Sequence, residues 1–470
     1  MKIDVTKTYH AEGVCHVNRQ AVEYRATTEE MTFYNDLGEA EATAFTISYE
    51  KTNDPSDKGR PILFAYNGGP GSSSTLVHLG ALAPERVKLG DDATVKSLPP
   101  FEMEANPDTV LDLCDIVLID PVGCGYSRLL KEEAAAKFYC SDGDAIEIVQ
   151  IINKWLYVHD KWNRPVFIMG ESYGTIRNAL VSDAIFYNEN PGLCSCNTIH
   201  LAGVIMLGTA LDHGQTPFPV DRAVLNFTSI AASYWLHHQE GKGSLEDFIK
   251  EASTFSYREY LPALALGNRI SKEEKEHVIN RLEYFTGMCR EKLLKANLRV
   301  ETSTYPLIGM EEEGYRLSRY DGRFKMKALA DISDYDMFGD DANSAQVMPA
   351  FTHCFNGIWK ERLGIDTDDL YDALSISVSE RWDFKTAKPP VKCLERAMRK
   401  NPDLKVMFGT GYFDMVTTLG YTEYLVSAHD LPKERIKFEA YESGHMPYLG
   451  KGPAAKFGRD LHDFIRWACE

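Results

Sequence analysis

The sequence lacks several features that mark common classes of protein. No stretch approaches the roughly 18 consecutive apolar residues of a membrane span, and no apolar run of about 7–15 residues follows the first residues, as a secretory signal requires. Basic residues are outnumbered, with 51 Lys and Arg against 69 Asp and Glu, a formal net charge of −18. A nucleic-acid partner is therefore not expected, because phosphate binding requires a basic face. These absences predict a cytoplasmic protein with no membrane partner; a chain already cleaved from a signal peptide would share them.

The ten cysteines lack the paired spacing of a zinc site. Cys194 and Cys196 form the closest pair, and the single residue between them is too short a spacing for a normal zinc knuckle. Reduced structural thiols are the simplest interpretation, and they fit a reducing compartment. The sequence indicates neither a metal nor an organic cofactor.

What is present is an alternation of strand and helix patterns. Short apolar runs bounded by turn residues occur at 61–66, 116–120, 166–169, 201–207, 404–409 and 436–441. Such runs are typical of strands buried on both faces of a parallel sheet. Apolar residues at helical spacing lie between them, as at 143–159 with Asp142 as the predicted N-cap. The pattern predicts a doubly wound, mostly parallel α/β sheet, and the alternation at 44–49 predicts an antiparallel edge ahead of it.

Residues 211–370 interrupt this alternation. They are rich in helix formers and charged residues, and strand patterns are scarce there. Since one core stops growing at roughly 250–300 residues, a chain of 470 residues has room for a large insertion. We predict a first part of the core at 1–210, a helical cap at 211–370 and a second part of the core at 371–470.

The strongest catalytic pattern is Gly170-Glu171-Ser172-Tyr173-Gly174, between the predicted strand 166–169 and a stretch at 175–186 that is compatible with a helix. In a nucleophile elbow the turn is so tight that side chains at the two glycine positions would clash. The turn raises the serine hydroxyl above the sheet edge, and the N-terminus of the next helix stabilises negative charge beside it. We therefore predict that Ser172 is a nucleophile.

A serine hydroxyl needs a histidine to accept its proton and a carboxylate to orient that histidine. Asp414 follows the predicted strand 404–409, and His445 follows the predicted strand 436–441. Active-site groups of such sheets lie just past the C-terminal ends of strands, and the chain order serine, acid, histidine is that of α/β-hydrolases. We predict a catalytic triad of Ser172, Asp414 and His445. Arg177, just over one helical turn after Ser172, is expected to pair with a carboxylate.

An acyl-transfer site also needs N–H groups aimed at the developing oxyanion. Residues 67–74, Asn-Gly-Gly-Pro-Gly-Ser-Ser-Ser, follow the predicted strand 61–66. A glycine-rich loop at this place can bring bare N–H groups close to the substrate, and no Walker lysine supports the alternative of a phosphate loop. The predicted oxyanion donors are the N–H groups of Gly69 and Tyr173.

These motifs together resemble the serine carboxypeptidase family, above all its cytoplasmic-looking bacterial branch. The resemblance covers the α/β core and rests on residues 67–74, 121–127, 170–174, Asp414 and 444–446. It implies an α/β-hydrolase fold with the triad and oxyanion hole given above, in which Asn67, Gly68 and Glu171 bind the substrate and Asn67 and Glu171 hold its C-terminal carboxylate. A glutamate must be protonated to hydrogen-bond a carboxylate, which favours acidic pH unless burial raises its pKa.

Three positions depart from the family's pattern. Ala65 stands where the family has a tryptophan, residues 80–84 lack the family's glutamate, and Ser72 stands where the family has a half-cystine. Only part of the carboxylate-binding network is therefore retained, whereas no departure touches the triad.

The sequence thus predicts a serine-type carboxypeptidase that cleaves C-terminal residues from peptides through an acyl-enzyme on Ser172. The alternative is an esterase, amidase or acyltransferase that uses the same triad on a small acylated substrate and needs no substrate carboxylate. A more remote alternative is a catalytically silent binding protein on the hydrolase scaffold, which a fluorophosphonate would not label. Among oligomeric states, base rates favour a homodimer.

Overall fold

The structure, a computed structural model, describes residues 2–53, 59–186, 198–211, 220–328 and 339–470. Its strands are β1 (Lys2–Val17), β2 (Gln20–Tyr34), β3 (Ala40–Lys51), β4 (Ile62–Tyr66), β5 (Glu85–Val87), β6 (Met103–Ala105), β7 (Asp115–Asp120), β8 (Arg128–Leu129), β9 (Val166–Glu171), β10 (Leu201–Leu207), β11 (Tyr315–Leu317), β12 (Lys325–Lys327), β13 (Lys405–Gly411) and β14 (Ile436–Tyr441). The large sheet has the order β1-β2-β3-β7-β4-β9-β10-β13-β14, and β8 pairs with β3.

This sheet has an antiparallel part and a parallel part. Strands β1, β2 and β3 pair antiparallel, and β3 joins β7 antiparallel. From β7 through β4, β9, β10 and β13 to β14 every pairing is parallel. Strands β4, β7 and β9 are buried at every residue, as their continuous apolar runs predict. The doubly wound, mostly parallel α/β-hydrolase fold is confirmed, together with its antiparallel edge.

The helices are α1 (Thr75–Val77), α2 (Ala135–Phe138), α3 (Ser141–Val158), α4 (Tyr173–Ala184), α5 (Arg222–Leu225), α6 (Phe227–His237), α7 (Leu245–Phe255), α8 (Leu261–Leu266), α9 (Lys272–Thr286), α10 (Arg290–Lys295), α11 (Tyr305–Ile308), α12 (Ala342–Cys354), α13 (Lys360–Arg362), α14 (Ile376–Glu380), α15 (Pro390–Lys400), α16 (Leu419–Ala428) and α17 (Lys451–Cys469). Short π-helical turns lie at His78–Leu82, Ser256–Tyr260 and Phe355–Trp359, and 3₁₀ turns lie at Glu132–Ala134, Gly267–Arg269, Glu311–Glu313 and Lys433–Arg435.

Helices cover both faces of the sheet, which places an apolar core on each side. On one face α3, α4 and α15 pack together, and their buried side chains include Trp155, Leu180 and Leu394. On the other face α17 packs Phe464 against Phe167 of β9. The helix α3 begins two residues earlier than predicted, with Cys140 at its N-cap. The predicted N-cap Asp142 is wrong, because its carboxylate accepts the N–H of Ala387 instead (2.8 Å).

Between β10 and β13 the chain forms α5 to α15 and the antiparallel hairpin of β11 and β12. The earlier helices of this stretch have a core of their own, with Phe227, Phe255 and Phe285 in mutual ring contact. The helix α12 belongs to the main core instead, through Val347 and Phe351. The division of the chain at residues 211 and 370 stays a prediction, and the name helical cap is kept for residues 211–370.

The described cysteines are all unpaired, while Cys194 and Cys196 lie outside the described residues. Over the described ranges no group of three or more His, Cys, Asp or Glu side chains could hold a metal ion. None of the helices described above combines the length and apolar character needed to cross a bilayer.

Candidate active site

Ser172 lies at the turn from β9 into α4 in a strained backbone conformation, with φ 60° and ψ −123°. The elbow leaves no room for side chains at its first glycine, since a Cβ on Gly170 would lie 2.1 Å from the carbonyl oxygen of Gly174. The N–H of Ser172 donates to the carbonyl of Leu207 at the end of β10 (2.8 Å). The predicted motif therefore adopts the geometry of a nucleophile elbow, and two neighbouring strands support it.

Asp414 and His445 come together beside this turn. Asp414 follows β13 and is fully buried, while His445 follows β14 and is 6% exposed. Their side chains are joined by a hydrogen bond of 2.8 Å between His445 Nδ1 and Asp414 Oδ2. This contact orients the imidazole so that its Nε2 is free to face a nucleophile, which is the role of the acid in a serine triad.

The carboxylate of Asp414 is held from both sides. Its Oδ1 accepts the N–H groups of Val416 (2.7 Å) and Thr417 (2.9 Å), and its Oδ2 accepts the hydroxyl of Thr417 (2.5 Å) as well as His445. A buried carboxylate is costly unless its lone pairs are used. These bonds therefore fix the acid in the one orientation that serves His445.

The pKa of His445 is raised from its ordinary value. Burial of the ring opposes the protonated form, but the charge of Asp414 and its hydrogen bond favour that form more strongly, and Glu171 adds to the effect. A base with a raised pKa accepts a proton from a serine hydroxyl more readily. The same shift means that His445 becomes protonated at a higher pH than an ordinary histidine.

Ser172 and His445 both line one cleft, together with Asn67, Gly68, Gly69 and Glu171. No hydrogen bond joins the Ser172 hydroxyl to His445 within the described structure. Such contacts are often long in unliganded hydrolases and shorten when substrate binds. The structure thus places Ser172 and His445 in one cleft, with Asp414, the third predicted triad member, in contact with His445.

The glycine-rich loop lies directly against the elbow. A Cβ on Gly68 would lie 2.5 Å from the amide nitrogen of Tyr173 and 2.5 Å from the carbonyl oxygen of Glu171, so no larger residue fits there. Gly69 has a positive φ of 100°, which favours glycine. Both N–H groups predicted for the oxyanion hole, those of Gly69 and Tyr173, therefore belong to segments in close contact beside Ser172.

Asn67 and Glu171 form a buried pair in the same cleft. Asn67 Nδ2 donates to Glu171 Oε1 (2.7 Å), and Asn67 Oδ1 accepts the N–H of Val77 (3.0 Å). Burial raises the pKa of Glu171 to about 7, against the opposing effects of His445, Tyr448 and Asn67. A carboxyl group that remains partly protonated at neutral pH can donate a hydrogen bond to an anion.

Arg177 pairs with a carboxylate, as expected. Its Nε donates to both oxygens of Asp144 (2.9 and 2.8 Å), and both side chains are 1% exposed. Its Nη1 donates to the carbonyl of Asn67 (2.7 Å). The ion pair thereby links α3 and α4 to the loop that carries Asn67 and helps to hold that loop in place.

The helical cap supplies the opposite wall of the cleft, with Tyr320, Asn343, Ser344 and Met348. Asn343 is 1% exposed, yet its side-chain Nδ2 has no hydrogen-bond partner among the described residues. A buried amide without a partner costs about 1–3 kcal/mol. Its place in the cleft wall offers a donor to whatever occupies the cleft.

The cap also holds the loop that carries His445. The backbone N–H of His445 donates to the carbonyl of Tyr320 (2.6 Å), and the two rings are 5.5 Å apart. Arg323 donates to Ser443 (2.9 Å) and to the carbonyl of Leu449 (3.1 Å), and its guanidinium is held by Asp321. We call residues 318–323 the histidine brace, because this segment fixes the backbone around His445.

Comparison with known proteins now bears on these residues. The family model described as serine carboxypeptidase matches residues 22–451, most of the chain. The protein belongs to the serine carboxypeptidase family. It is a serine-carboxypeptidase-like hydrolase. A comparison with curated protein sequences finds no significant match.

One solved structure supports the fold. The crystal structure of Kex1, a prohormone-processing carboxypeptidase from Saccharomyces cerevisiae, has a TM-score of 0.58 and 13% identity, and the match covers 98% of this chain and 92% of that one. A proline iminopeptidase from Mycobacterium smegmatis (TM-score 0.38, 12% identity, 93% and 97% covered) is also similar. So is a carboxyl esterase from Bacillus coagulans (TM-score 0.38, 12% identity, 94% and 99% covered).

Several residues of the site were missed by the sequence reasoning. Thr417 had a local signal, because a Thr three residues after an Asp commonly shares an Asx-type turn with it. Asn343 and the histidine brace had none, since no motif in the sequence connects them with Ser172. Their role depends on how the cap folds over the sheet.

Proposed function

We propose that this protein is a serine carboxypeptidase that removes the C-terminal residue of a peptide through an acyl-enzyme on Ser172. The observation that carries the proposal is the buried Glu171, next to the nucleophile in sequence and hydrogen-bonded to Asn67 in the same cleft. An acid that burial keeps partly protonated near neutral pH is suited to a carboxylate ligand. A simple ester offers no carboxylate for such a group to bind.

The chemical steps follow from the roles of the triad. The Ser172 hydroxyl attacks the scissile carbonyl carbon while His445 Nε2 takes its proton, and the N–H groups of Gly69 and Tyr173 bind the resulting oxyanion. The C–N bond then breaks as His445 returns the proton to the leaving amine, which departs as a free amino acid. Water, deprotonated by His445, hydrolyses the ester and releases the shortened peptide.

Activity in this scheme requires neutral His445 and protonated Glu171 at the same time. Each group acts on the other, since ionised Glu171 raises the pKa of His445 and protonated His445 lowers the pKa of Glu171. The pair holding one proton has two arrangements, and only the one with the proton on Glu171 is productive. A substrate carboxylate favours that arrangement, because it accepts a hydrogen bond from the protonated acid.

The cleft wall supports a preference among C-terminal residues. Apolar side chains line it beside the carboxylate-binding pair, namely Leu76, Met348, Leu374 and Met446. The unpartnered amide of Asn343 offers a further donor to the substrate's C-terminal carboxylate. We therefore expect the enzyme to favour peptides that end in an apolar residue.

The test compares kcat/KM for a blocked dipeptide with a free C-terminal carboxylate and for its C-terminal amide, from about pH 4 to 8. We expect a strong preference for the free acid that fades as the pH rises through the pKa of Glu171. Ser172→Ala provides the blank. Equal rates for acid and amide, or turnover of simple esters alone, would reject the carboxypeptidase and favour the esterase, amidase or acyltransferase alternative.

A further inference from the structure

Two buried oxygen atoms next to the catalytic cleft have no partner. Tyr448 is 1% exposed and its hydroxyl makes no hydrogen bond of ordinary geometry with any described residue, and the same holds for Glu171 Oε2. The other oxygen of Glu171 is used by Asn67. Unpartnered buried polar atoms are uncommon in folded proteins and are costly, so a pair of them beside a reactive serine calls for a functional reason.

The position of Tyr448 depends on a missing side chain. A Cβ on Gly80 would lie 2.6 Å from Cε2 of the tyrosine ring and 3.4 Å from Phe351 of the cap. Gly80 belongs to the π-helical turn His78–Leu82, which follows the glycine-rich loop. The tyrosine ring therefore occupies space that any other residue at position 80 would fill.

The hydroxyl and the carboxyl act on one another although no standard hydrogen bond is formed. Burial, followed by the charge of Glu171, raises the pKa of Tyr448 well above its ordinary value, so that the phenol keeps its proton and can only donate to an ionised acid. In the other direction Tyr448 lowers the pKa of Glu171, as do His445 and Asn67, whereas burial and Asp414 raise it. The two groups are therefore near enough for each to shift the pKa of the other.

We propose that Tyr448 is a positioning residue that donates a hydrogen bond to Glu171 Oε2 when this carboxyl is ionised and thereby sets the upper pH limit for binding a free substrate carboxylate. This inference rests on the proposed carboxypeptidase function. When substrate binds, Glu171 takes up one proton from solvent, its Oε2 donates to the substrate carboxylate, and the hydroxyl of Tyr448 turns away. Tyr448 touches no substrate atom in this cycle.

The decisive variant is Tyr448→Phe, which keeps the ring over Gly80 and removes only the hydroxyl. We expect the alkaline limb of kcat/KM for the free-acid peptide to move to higher pH by about 1 unit, because ionised Glu171 loses a donor. The matched control is Tyr441→Phe, another buried tyrosine whose hydroxyl has no hydrogen-bond partner among the described residues and whose charged neighbours are Asp460 and Glu439 instead of Glu171. A purely structural role would lower activity at every pH and leave the limb in place.

A second measurement does not depend on turnover. The infrared C=O band of protonated Glu171, isolated by subtracting the Glu171→Gln spectrum, reports the titration of this carboxyl directly. A midpoint that rises in Tyr448→Phe and stays unchanged in Tyr441→Phe supports the proposal, and an unchanged midpoint in Tyr448→Phe overturns it. If the wild-type enzyme shows no preference for free acids, the proposed function fails while the infrared titration still decides whether Tyr448 controls Glu171.

Discussion

The two walls of the cleft were built from different kinds of sequence. The wall that belongs to the sheet consists of residues at strand ends, such as Ser172, Glu171 and Asn67, each within a short motif that dictates its own turn. The wall that belongs to the helical cap consists of Tyr320, Asn343 and their neighbours, which no motif marks. The residues whose chemistry requires a fixed geometry are encoded by local motifs, whereas the residues that would contact the substrate come from distant parts of the chain.

Removal of the nucleophile gives the largest expected effect and tests the sheet wall alone. Ser172→Ala should lower kcat by about 10⁴–10⁶-fold, because the remaining triad cannot form an acyl-enzyme. The measurement is turnover of the free-acid dipeptide together with fluorophosphonate labelling. Ser427→Ala, on the exposed face of α16, serves as control. If Ser172→Ala were still labelled, another residue would be the nucleophile. The alternative of a catalytically silent scaffold would still be excluded, because such a protein would not be labelled.

A change in the histidine brace tests whether the cap takes part in the chemistry of the sheet wall. Arg323→Leu should reduce kcat by about 100-fold, because the backbone around His445 loses its anchors and small displacements of a catalytic group are costly. KM should change little. The control is Arg290→Leu, which removes an exposed ion pair with Glu276 on the cap surface. Equal kcat values for the two variants would show that the cap takes no part in catalysis. Thermal unfolding checks that both variants remain folded.

Substitution of Glu171 tests whether this carboxyl group, part of the sheet wall, must be protonated for activity. Glu171→Gln stays neutral at every pH, so it should lack the roughly fivefold fall in kcat/KM that we expect of the wild type between about pH 7 and 8. Stability gives an independent check. Because folding raises the pKa of Glu171 from 4.5 to about 7, the wild type loses stability relative to the variant as the pH rises through that window, by on the order of 3 kcal/mol.

The contrary results for this variant are equally specific. A Gln variant that keeps the alkaline fall in activity would assign that fall to another group. Parallel unfolding curves of wild type and variant from pH 4 to 8 would show that the carboxyl titrates normally.

The smallest expected effect concerns recognition by the cap wall. Asn343→Ala should raise KM for the free-acid peptide by about five- to tenfold with little change in kcat, as expected for one lost hydrogen bond. Gln346→Ala, exposed on the same helix, is the control. A fall in kcat with an unchanged KM would instead assign Asn343 to catalysis. The distinction between a catalytic sheet wall and a recognising cap wall would then be wrong.

How much of this site the sequence could predict follows the same division. The strands, the elbow and the order of Ser172, Asp414 and His445 were accessible, because each depends on a pattern within a few residues. Tyr448 follows His445 by only three residues, but the position of its ring depends on the absence of a side chain at Gly80, which no local pattern reports. The predicted N-cap at Asp142 was wrong for a related reason, since its carboxylate accepts the N–H of Ala387, which lies in a remote segment.

The histidine brace has a consequence for engineering. In enzymes of this architecture, one cap can be exchanged for another in order to change substrate specificity. Such an exchange treats the cap as independent of the catalytic core. Here the carbonyl of Tyr320 and the side chain of Arg323 hold the loop that carries His445. A chimera that replaces residues 211–370 as a block would discard these anchors with the old specificity, whereas one that retains 318–323 would transplant recognition and keep the reactive centre intact.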